Sequence, residues 1–192
     1  EIGMRSAGVV TVWNGTVFFG DIEMDGARVG CRVLWGDVTN PLLLAPASDR
    51  TSGFQDLEQG STILAFLPLG DQLYCFTSRS IWRIVAVGGE DQYGFQQVYF
   101  HADGEGCLVG RHAICAVAGE AVYVVRDGVY RFGNYTTVPD RTEWMWRASG
   151  SVNTEACELL SVAYHQPLGE IWVSYPAAGQ STPSQTLALS PR

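Results

Sequence analysis

Short apolar runs separated by tight turns recur along the chain. Residues 73–76 and 122–125 are apolar runs rich in aliphatic and aromatic side chains, and a glycine stands shortly before each run. Between residues 79 and 84, polar and apolar side chains alternate, which is the period of a half-buried β-strand. No stretch keeps a sustained helical period, although residues 154–160 fit one or two helical turns. The pattern therefore predicts an all-β fold.

A motif of glycine, an acid, an aliphatic and an aromatic residue recurs at a nearly constant spacing. Its aliphatic positions, separated by two steps of 49 residues, are Leu73, Val122 and Ile171. A second set of aliphatic positions, separated by two steps of 48 residues, is Val33, Ile81 and Val129. Two markers with one period indicate a repeated supersecondary unit. We expect each set to occupy equivalent, buried positions in successive sheets.

The size of the repeat favours a β-propeller. Asp25-Gly26 and Asp127-Gly128 stand between apolar runs, and Asp-Gly is a strong hairpin signal because both residues tolerate positive φ. About fifty residues of hairpins make one four-stranded propeller blade. An open sandwich or a solenoid is the alternative. The predicted architecture is an all-β, β-propeller-like repeat of about four blade units, alone or as part of a larger propeller, with units near 8–60, 61–105, 106–150 and 151–176.

The end of the chain has a different composition. Residues 177–192 are polar and rich in turn-forming residues, so we expect a linker or loop after a β-propeller-like domain at 1–176. The chain begins with Glu1 instead of methionine, which suggests a fragment of a longer polypeptide or a processed product.

Charge and cysteine content narrow the range of functions. Twelve basic and 20 acidic residues give a net charge of −8, whereas proteins that grip nucleic acid usually carry a basic face. No apolar run reaches the length of a membrane span. The five cysteines are widely spaced without a C-x-x-C pair, which indicates free thiols in place of a disulfide framework or zinc site.

Alternating carboxylates at Asp21, Glu23 and Asp25, followed by a glycine, are similar to the opening of a calcium-binding loop. The twelfth position of that loop is Arg32, where a bidentate glutamate is required. A hairpin with its acids on the solvent face is the preferred interpretation, and no bound metal or cofactor is expected.

A second group of potential metal ligands ends at a cysteine. These residues, at alternate positions, are His101, Asp103, Glu105 and Cys107. Two glycines interrupt the group, and no second histidine is close in sequence, so a surface turn is favoured over a metal site. The chain also lacks a G-x-S-x-G nucleophile motif and a G-x-G-x-x-G loop, so we expect no enzymatic activity.

One dense aromatic patch is a candidate interface. On a strand, Trp144 and Trp146 would point the same way, and Arg147 follows them directly. Packing between blades is one interpretation of this patch. Binding of a partner is the other, because tryptophan and arginine dominate interaction hot spots.

Several of these stretches, taken together, resemble the tail propeller proteins of tailed bacteriophages, of the tail-nozzle or packaged-DNA-stabilising type. The resemblance covers roughly residues 8–135, and the stretches that carry it are 13–20, 32–37, 40–41, 67–84, 106–107, 111–112 and 122–132. These motifs are structural and define no active site.

The resemblance implies a structural virion protein in the tail, made in the host cytoplasm. Such proteins form a homo-oligomeric ring, commonly sixfold, beside the adaptor and portal proteins, and the genome leaves through it. An acidic wall would repel phosphates and leave passing DNA free to slide. The alternatives are a ligand-binding or glycan-binding, adhesin-like propeller and, less favoured, a propeller enzyme.

Overall fold

Antiparallel β-strands make up nearly all of the regular structure, which confirms the all-β class. The chain divides into two compact units, Glu1–Val98 and Tyr99–Arg192. The computed structural model describes residues 3–47, 49–88, 92–100, 107–133, 136–139 and 151–190, with only the backbone described at 136–139. Within these residues, no helix has the length and apolar character that a membrane span requires.

The first unit contains two four-stranded sheets in which each strand pairs with the next strand along the chain. The strands of the first sheet are β1 (Met4–Trp13), β2 (Thr16–Met24), β3 (Ala27–Trp35) and β4 (Gly53–Asp56). The strands of the second sheet are β5 (Ile63–Leu69), β6 (Gln72–Thr77), β7 (Ser80–Ala86) and β8 (Tyr93–Phe100).

The second unit repeats the same up-and-down order. The strands of the third sheet are β9 (Ile114–Val117), β10 (Glu120–Val125), β11 (Gly128–Gly133) and β12 (Thr136–Pro139). A 3₁₀ helix at Thr154–Leu159 precedes the fourth sheet, and Asn153 caps it by accepting a hydrogen bond from the Glu155 amide. The strands of the fourth sheet are β13 (Ser161–His165), β14 (Glu170–Tyr175) and β15 (Gln185–Leu189).

The fourth sheet differs from the expectation for the end of the chain. Residues 177–192 are expected to form a linker or loop, yet Gln185–Leu189 pairs with β14 as strand β15. Leu187 pairs with Val173 and Leu189 with Ile171, both of which are buried. The alternation of these leucines with Thr186 and Ala188 is a short strand pattern inside a polar segment.

The hairpin turn at Asp25-Gly26 is confirmed. Met24 pairs with Ala27, and both turn residues have positive φ, 51° and 79°. The turn at Asp127-Gly128 is different, because Val125 pairs with Gly128 and leaves Arg126-Asp127 as the two-residue loop. The hairpin lies where the sequence predicts it, but its glycine is the first residue of β11 and not a turn residue.

The repeat is present, with a correction of one residue. Leu73, Val122 and Ile171 are fully buried on the second strand of their sheets. Leu73 and Ile171, however, form the second pair after their hairpin turns, whereas Ala121 takes that place in the third sheet. The second and third sheets therefore repeat at 48 residues in their hydrogen-bonded register. The motif spacing of 49 residues between these two sheets is one residue too long. Gly70 is the first residue of its two-residue turn, whereas Gly119 is the second residue of its turn.

The second set of aliphatic positions follows this register more closely. Ile81 pairs with Phe76 and Val129 with Val124, each as the second residue of its strand. Val33 also lies on the third strand of its sheet and is fully buried, but it sits near the far end of a longer hairpin. The first sheet therefore shares the strand order of the repeat, and its hairpin is extended.

The two sheets of the first unit pack face to face through apolar side chains. The cluster between them contains, from both sheets, Trp13, Phe18, Val33, Trp35, Leu57, Ile63, Phe66, Leu73, Cys75, Ile84 and Tyr93. A Cβ atom at Gly20 would lie 2.6 Å from Ile63 Cγ2, so glycine at this position lets the sheets approach closely. The contact joins the first strand of each sheet, β1 and β5.

The second unit joins its sheets in the same way. Strand β13 contacts β9 and, less extensively, β10, and the Val162 amide donates to the His112 carbonyl at 2.8 Å. Val162, Ile171 and Val173 are buried and lie on one face of the fourth sheet, since Val162 pairs with Val173. In both units, the first strand of a later sheet therefore lies beside the first strand of an earlier one.

The turn between β9 and β10 is strained, which generates a prediction. Ala118 has φ of 51° at the turn position that Asn14 and Asp25 occupy in two other hairpins, with φ of 49° and 51°. An L-residue pays about 1 kcal/mol for this left-handed conformation, whereas asparagine tolerates it. We expect Ala118→Asn to raise the free energy of unfolding by about 1 kcal/mol in urea titrations.

The matched control is Asn14→Ala, which introduces the same strain into the first hairpin and should lower stability by a similar amount. If Ala118→Asn destabilises the protein while Asn14→Ala has no effect, the assignment of left-handed turns is wrong.

Candidate functional site

One face of the first sheet carries a row of apolar side chains that extends across all four strands. The cross-strand pairs join Val10 to Phe19, Phe19 to Leu34 and Leu34 to Phe54. Since Gly20 and Phe18 face the second sheet, alternation along each strand places this row on the opposite face. We call this surface the first outer face, defined by Val10, Val12, Val17, Phe19, Leu34 and Phe54.

The first outer face is open to solvent at both ends of the row. Val10 is 55%, Val12 63% and Phe54 47% exposed, whereas Leu34 in the middle is fully buried. The exposed apolar side chains therefore form two groups, Val10 with Val12 on β1 and Phe54 on β4, and the buried Leu34 lies between them.

A charged pair forms the edge of this face. The Arg32 guanidinium donates from both Nε and Nη2 to the Asp56 carboxylate, at 2.5 and 2.6 Å. The hydrogen bonds from Arg32 hold the pKa of Asp56 below its usual value. Arg32 Cζ also lies 4.3 Å from the centroid of the Phe54 ring. The pair therefore holds the exposed Phe54 ring in place at the β4 end of the row.

The fourth sheet has a corresponding exposed face, which we call the fourth outer face. Trp172 stands between Ala163 and Ala188, which pair with it from the two neighbouring strands. The indole is 36% exposed, and the His165 ring stacks on it at 4.4 Å with an interplanar angle of 5°. Trp172 Nε1 donates to Glu170 Oε2 at 3.0 Å, which orients the ring.

An open cleft of about 1100 Å³ lies in the first unit beside β4 and β8. Its lining includes the aromatic residues Trp35, Phe54, Tyr93 and Phe95, together with Arg50, Thr51, Gln55 and Gln92. Gln92 Oε1 is buried and has no hydrogen-bond partner among the described residues. Aromatic walls with a few polar groups are typical of small-molecule sites.

A buried carboxylate organises the loop that forms one wall of the cleft. Asp37 is only 4% exposed, and its Oδ1 accepts hydrogen bonds from the Thr39 hydroxyl, the Thr39 amide and the Asn40 amide. Its Oδ2 accepts from the Thr51 amide and hydroxyl, at 2.8 and 3.1 Å. The hydroxyl of Thr39, followed by the other donors, holds the pKa of Asp37 far below its usual range. One side chain therefore ties together both ends of the loop.

The carboxylates considered for calcium have partners in the first sheet. Asp21 is buried and accepts hydrogen bonds from the Arg28 guanidinium, one of them from Nε at 2.7 Å. Glu23 accepts from the Ser6 hydroxyl, and Asp25 is a turn residue. The hairpin and its Asp25-Gly26 turn are therefore confirmed, but the expectation that the acids lie on the solvent face is wrong for Asp21, which is buried at the register irregularity between Gly20 and Ile22 and paired with Arg28. Among the described residues, no three His, Cys, Asp or Glu side chains cluster as metal ligands.

The remaining candidates lie largely outside the described residues. His101, Asp103 and Glu105 belong to that part, and so does the predicted interface patch of Trp144, Trp146 and Arg147. Cys107 is described and fully buried, and burial raises the pKa of its thiol to about 12. A buried, protonated thiol is a poor metal ligand and a poor nucleophile.

Sequence reasoning did not identify the two outer faces. In β1, the alternation of Val10 and Val12 with Thr11 and Trp13 predicts a strand but does not identify which face is covered. The exposure of Trp172 is likewise not visible in the sequence, where its only signal is its position next to Ile171 in the repeated motif. The pairing register across four strands is the information that was missing.

A comparison with models of known protein families and with curated protein sequences gives no match to this chain.

The Asp37 network generates a prediction about pH. Because the pKa of Asp37 is lower in the folded state, its ionisation stabilises the fold fully at pH values above its ordinary pKa of 3.8. That contribution should decrease as pH falls below about 4 towards the lower folded-state pKa. We expect Asp37→Asn to be less stable than the unmodified protein at neutral pH, and the difference in unfolding free energy to narrow in acid.

Urea titrations at several pH values measure this difference. Asp71→Asn is the matched control, because Asp71 is an exposed turn residue, and it should change stability little at any pH. A destabilisation by Asp37→Asn that stays constant down to the acid limit would contradict the role assigned to the carboxylate charge.

Proposed function

We propose that the chain is a structural protein of a bacteriophage tail, a blade-bearing component of a nozzle or tail-hub ring that holds and releases the genome. The observation that carries the proposal is the succession of up-and-down sheets, in which the first strands of consecutive sheets lie side by side within each unit. This arrangement is what successive blades of a β-propeller require. The motifs in residues 8–135 that resemble tail propeller proteins support the proposed location in a phage tail.

The charge of the chain supports a wall that DNA passes without binding. The net charge is −8, and Asp25, Asp71 and Asp127 are exposed at hairpin turns. Carboxylates at such projecting positions repel phosphates, whereas a basic lumen would bind the backbone through counterion release. The ring that we propose consists of copies of this chain, six if the resemblance holds, in contact with other tail, adaptor or portal proteins.

We expect the protein to be present in purified phage particles and to localise to the tail. Quantitative mass spectrometry of particles, with the major capsid protein as the reference, measures its copy number, and antibody labelling in electron micrographs shows its position. Copies in a multiple that fits a ring, six in the simplest case, are the expected result. A protein absent from particles, or one confined to infected-cell extracts, would overturn the proposal.

DNA binding provides the second measurement for the same proposal. The purified protein should show negligible affinity for duplex DNA at physiological salt in gel-shift titrations. Submicromolar binding with a steep salt dependence would rule out the passive channel, since such dependence reports contacts to phosphates.

A second candidate function is saccharide binding in the cleft of the first unit. The aromatic walls favour it, because sugar rings stack on aromatic faces while polar groups such as Arg50, Gln55 and Gln92 bond their hydroxyls. Glycan-array screening followed by calorimetry is the test, with Gln92→Ala expected to weaken binding at least tenfold. Gln96→Ala, on β8 four residues further along the chain and outside the cleft lining, is the matched control. Absence of any bound glycan would remove this candidate.

A further inference from the structure

The turn between β1 and β2 consists of Asn14 and Gly15. Trp13 pairs with Thr16, so both turn residues lie beyond the last pair of the hairpin and take no part in the strand register. Their φ angles are 49° and 77°, in the left-handed region that asparagine and glycine tolerate best. Both residues are exposed, and a Cβ atom at Gly15 would have no neighbour within 4 Å. The bond between them is therefore open to water.

The side-chain carboxamide of Asn14 has no hydrogen-bond partner in the part of the chain that the structure describes. The other two asparagines in that part are restrained. Asn40 Oδ1 accepts a hydrogen bond from the Leu42 amide at 3.1 Å. Asn153 Oδ1 accepts from the Glu155 amide at 3.0 Å, and its Nδ2 donates to a backbone carbonyl. Of these three side chains, Asn14 is the one that can rotate without breaking a bond.

The residue that follows each asparagine also differs. Asn14 precedes a glycine, whereas Pro41 follows Asn40 and Thr154 follows Asn153. Proline has no backbone N–H, so its nitrogen cannot lose a proton and attack the preceding side chain. Thr154 begins the 3₁₀ helix and carries a stiff, β-branched side chain. Glycine keeps its N–H and has no Cβ, so its nitrogen is the least hindered of the three.

We propose that Asn14 is a site of spontaneous deamidation through a succinimide. The Gly15 backbone nitrogen loses its proton to hydroxide and attacks Cγ of Asn14, which forms a new C–N bond. The bond from Cγ to the side-chain nitrogen breaks, and that nitrogen takes up a proton and leaves as ammonia. Water then opens the ring at Cγ, which gives aspartate, or at the backbone carbonyl carbon, which gives isoaspartate. Each conversion consumes one water and releases one ammonia.

The two products differ in their effect on the first hairpin. Aspartate keeps the length of the backbone and tolerates the left-handed conformation, so the turn is retained. Isoaspartate adds a methylene group to the main chain between Trp13 and Thr16. Both residues contact Tyr93, since its ring lies 6.0 Å from that of Trp13 and its hydroxyl donates to the Thr16 hydroxyl at 2.7 Å. The isoaspartyl form therefore disturbs a hairpin on which the core depends.

Peptide mapping by mass spectrometry, after the native protein has aged in mildly alkaline buffer, tests this modification. Trypsin separates the asparagines, because at least one arginine stands between each pair. We expect conversion of the amide to an acid to be at least tenfold greater at Asn14 than at Asn40 or Asn153. Isoaspartate as the larger product identifies the ring intermediate, because direct hydrolysis of the amide gives aspartate alone.

The third sheet provides a matched second site. Ala118 and Gly119 form the two-residue turn between β9 and β10, with φ of 51° and 86°, and both are exposed. Ala118→Asn places the same dipeptide on the same kind of turn, so we expect its peptide to deamidate at a rate close to that of Asn14. Asn14→Asp removes the carboxamide and should abolish the conversion in the first hairpin.

Stability measurements on the aged protein test the consequence for the hairpin. Anion exchange separates the deamidated fraction, which carries one more negative charge, from the intact protein. We expect a lower urea midpoint for this fraction, whereas Asn14→Asp, which represents the aspartyl product alone, should unfold close to the unmodified protein. Equal midpoints for all three samples would show that the longer turn is accommodated, and the effect assigned to isoaspartate would be wrong.

Two results would overturn the modification site itself. One is an Asn14 peptide that stays as intact as the Asn40 peptide in the aged native protein. The other is conversion of Asn14 only after unfolding in urea, because the folded turn then protects the bond that we propose to be reactive. Deamidation in Ala118→Asn without any at Asn14 would also contradict the proposal, since the two turns share sequence and geometry.

Discussion

Tyr93 is the contact on which the architecture of the first unit depends. Its ring lies 4.9 Å from Phe18 and 5.5 Å from Trp35, both in edge-to-face geometry, and 6.0 Å from Trp13. Its hydroxyl donates to the buried Thr16 hydroxyl at 2.7 Å. The last strand of the second sheet is thereby fastened to the first hairpin of the first sheet. Truncation of a buried aromatic costs about 3–5 kcal/mol, a large part of the 5–15 kcal/mol that holds a typical domain folded.

The same contact determines which surfaces remain for function. The aromatic cluster packs against the second sheet and covers the inner face of the first sheet. The valine and phenylalanine side chains of the row therefore lie on the opposite face. The cleft forms next to this cluster, and Tyr93 and Trp35 belong to both. The same packing of the two sheets therefore determines the position of both the outer face and the cleft. The loop held by Asp37 forms the remaining wall of the cleft.

Much of the fold follows from local sequence signals, and much of the site does not. Alternation and turn residues located the hairpins, since backbone preferences act over a few residues. They misplaced the register by one residue at Val122, because a glycine can take either position of a two-residue turn and only the opposing strand decides. They did not predict β15, because Leu187 and Leu189 form a strand by pairing with Val173 and Ile171. Both partners lie outside the polar segment at 177–192. The exposure of Val12 and Phe54 depends on which face the second sheet covers, and no local pattern contains that information.

The bond between Tyr93 and Thr16 also has a consequence for synthesis of the chain. The first sheet can form its hydrogen bonds as soon as Asp56 has left the ribosome, because all its pairings are local. Ile63 and Phe66 of β5 can cover part of its aromatic face first, but Tyr93 closes over Phe18 and Trp35 only once β8 has emerged. During that interval, the nascent chain exposes apolar surface on both sides of a finished sheet, which is the situation in which chaperones bind and edge strands aggregate. We therefore expect the folded fraction of newly made protein to depend on the speed at which the ribosome translates from β4 to β8.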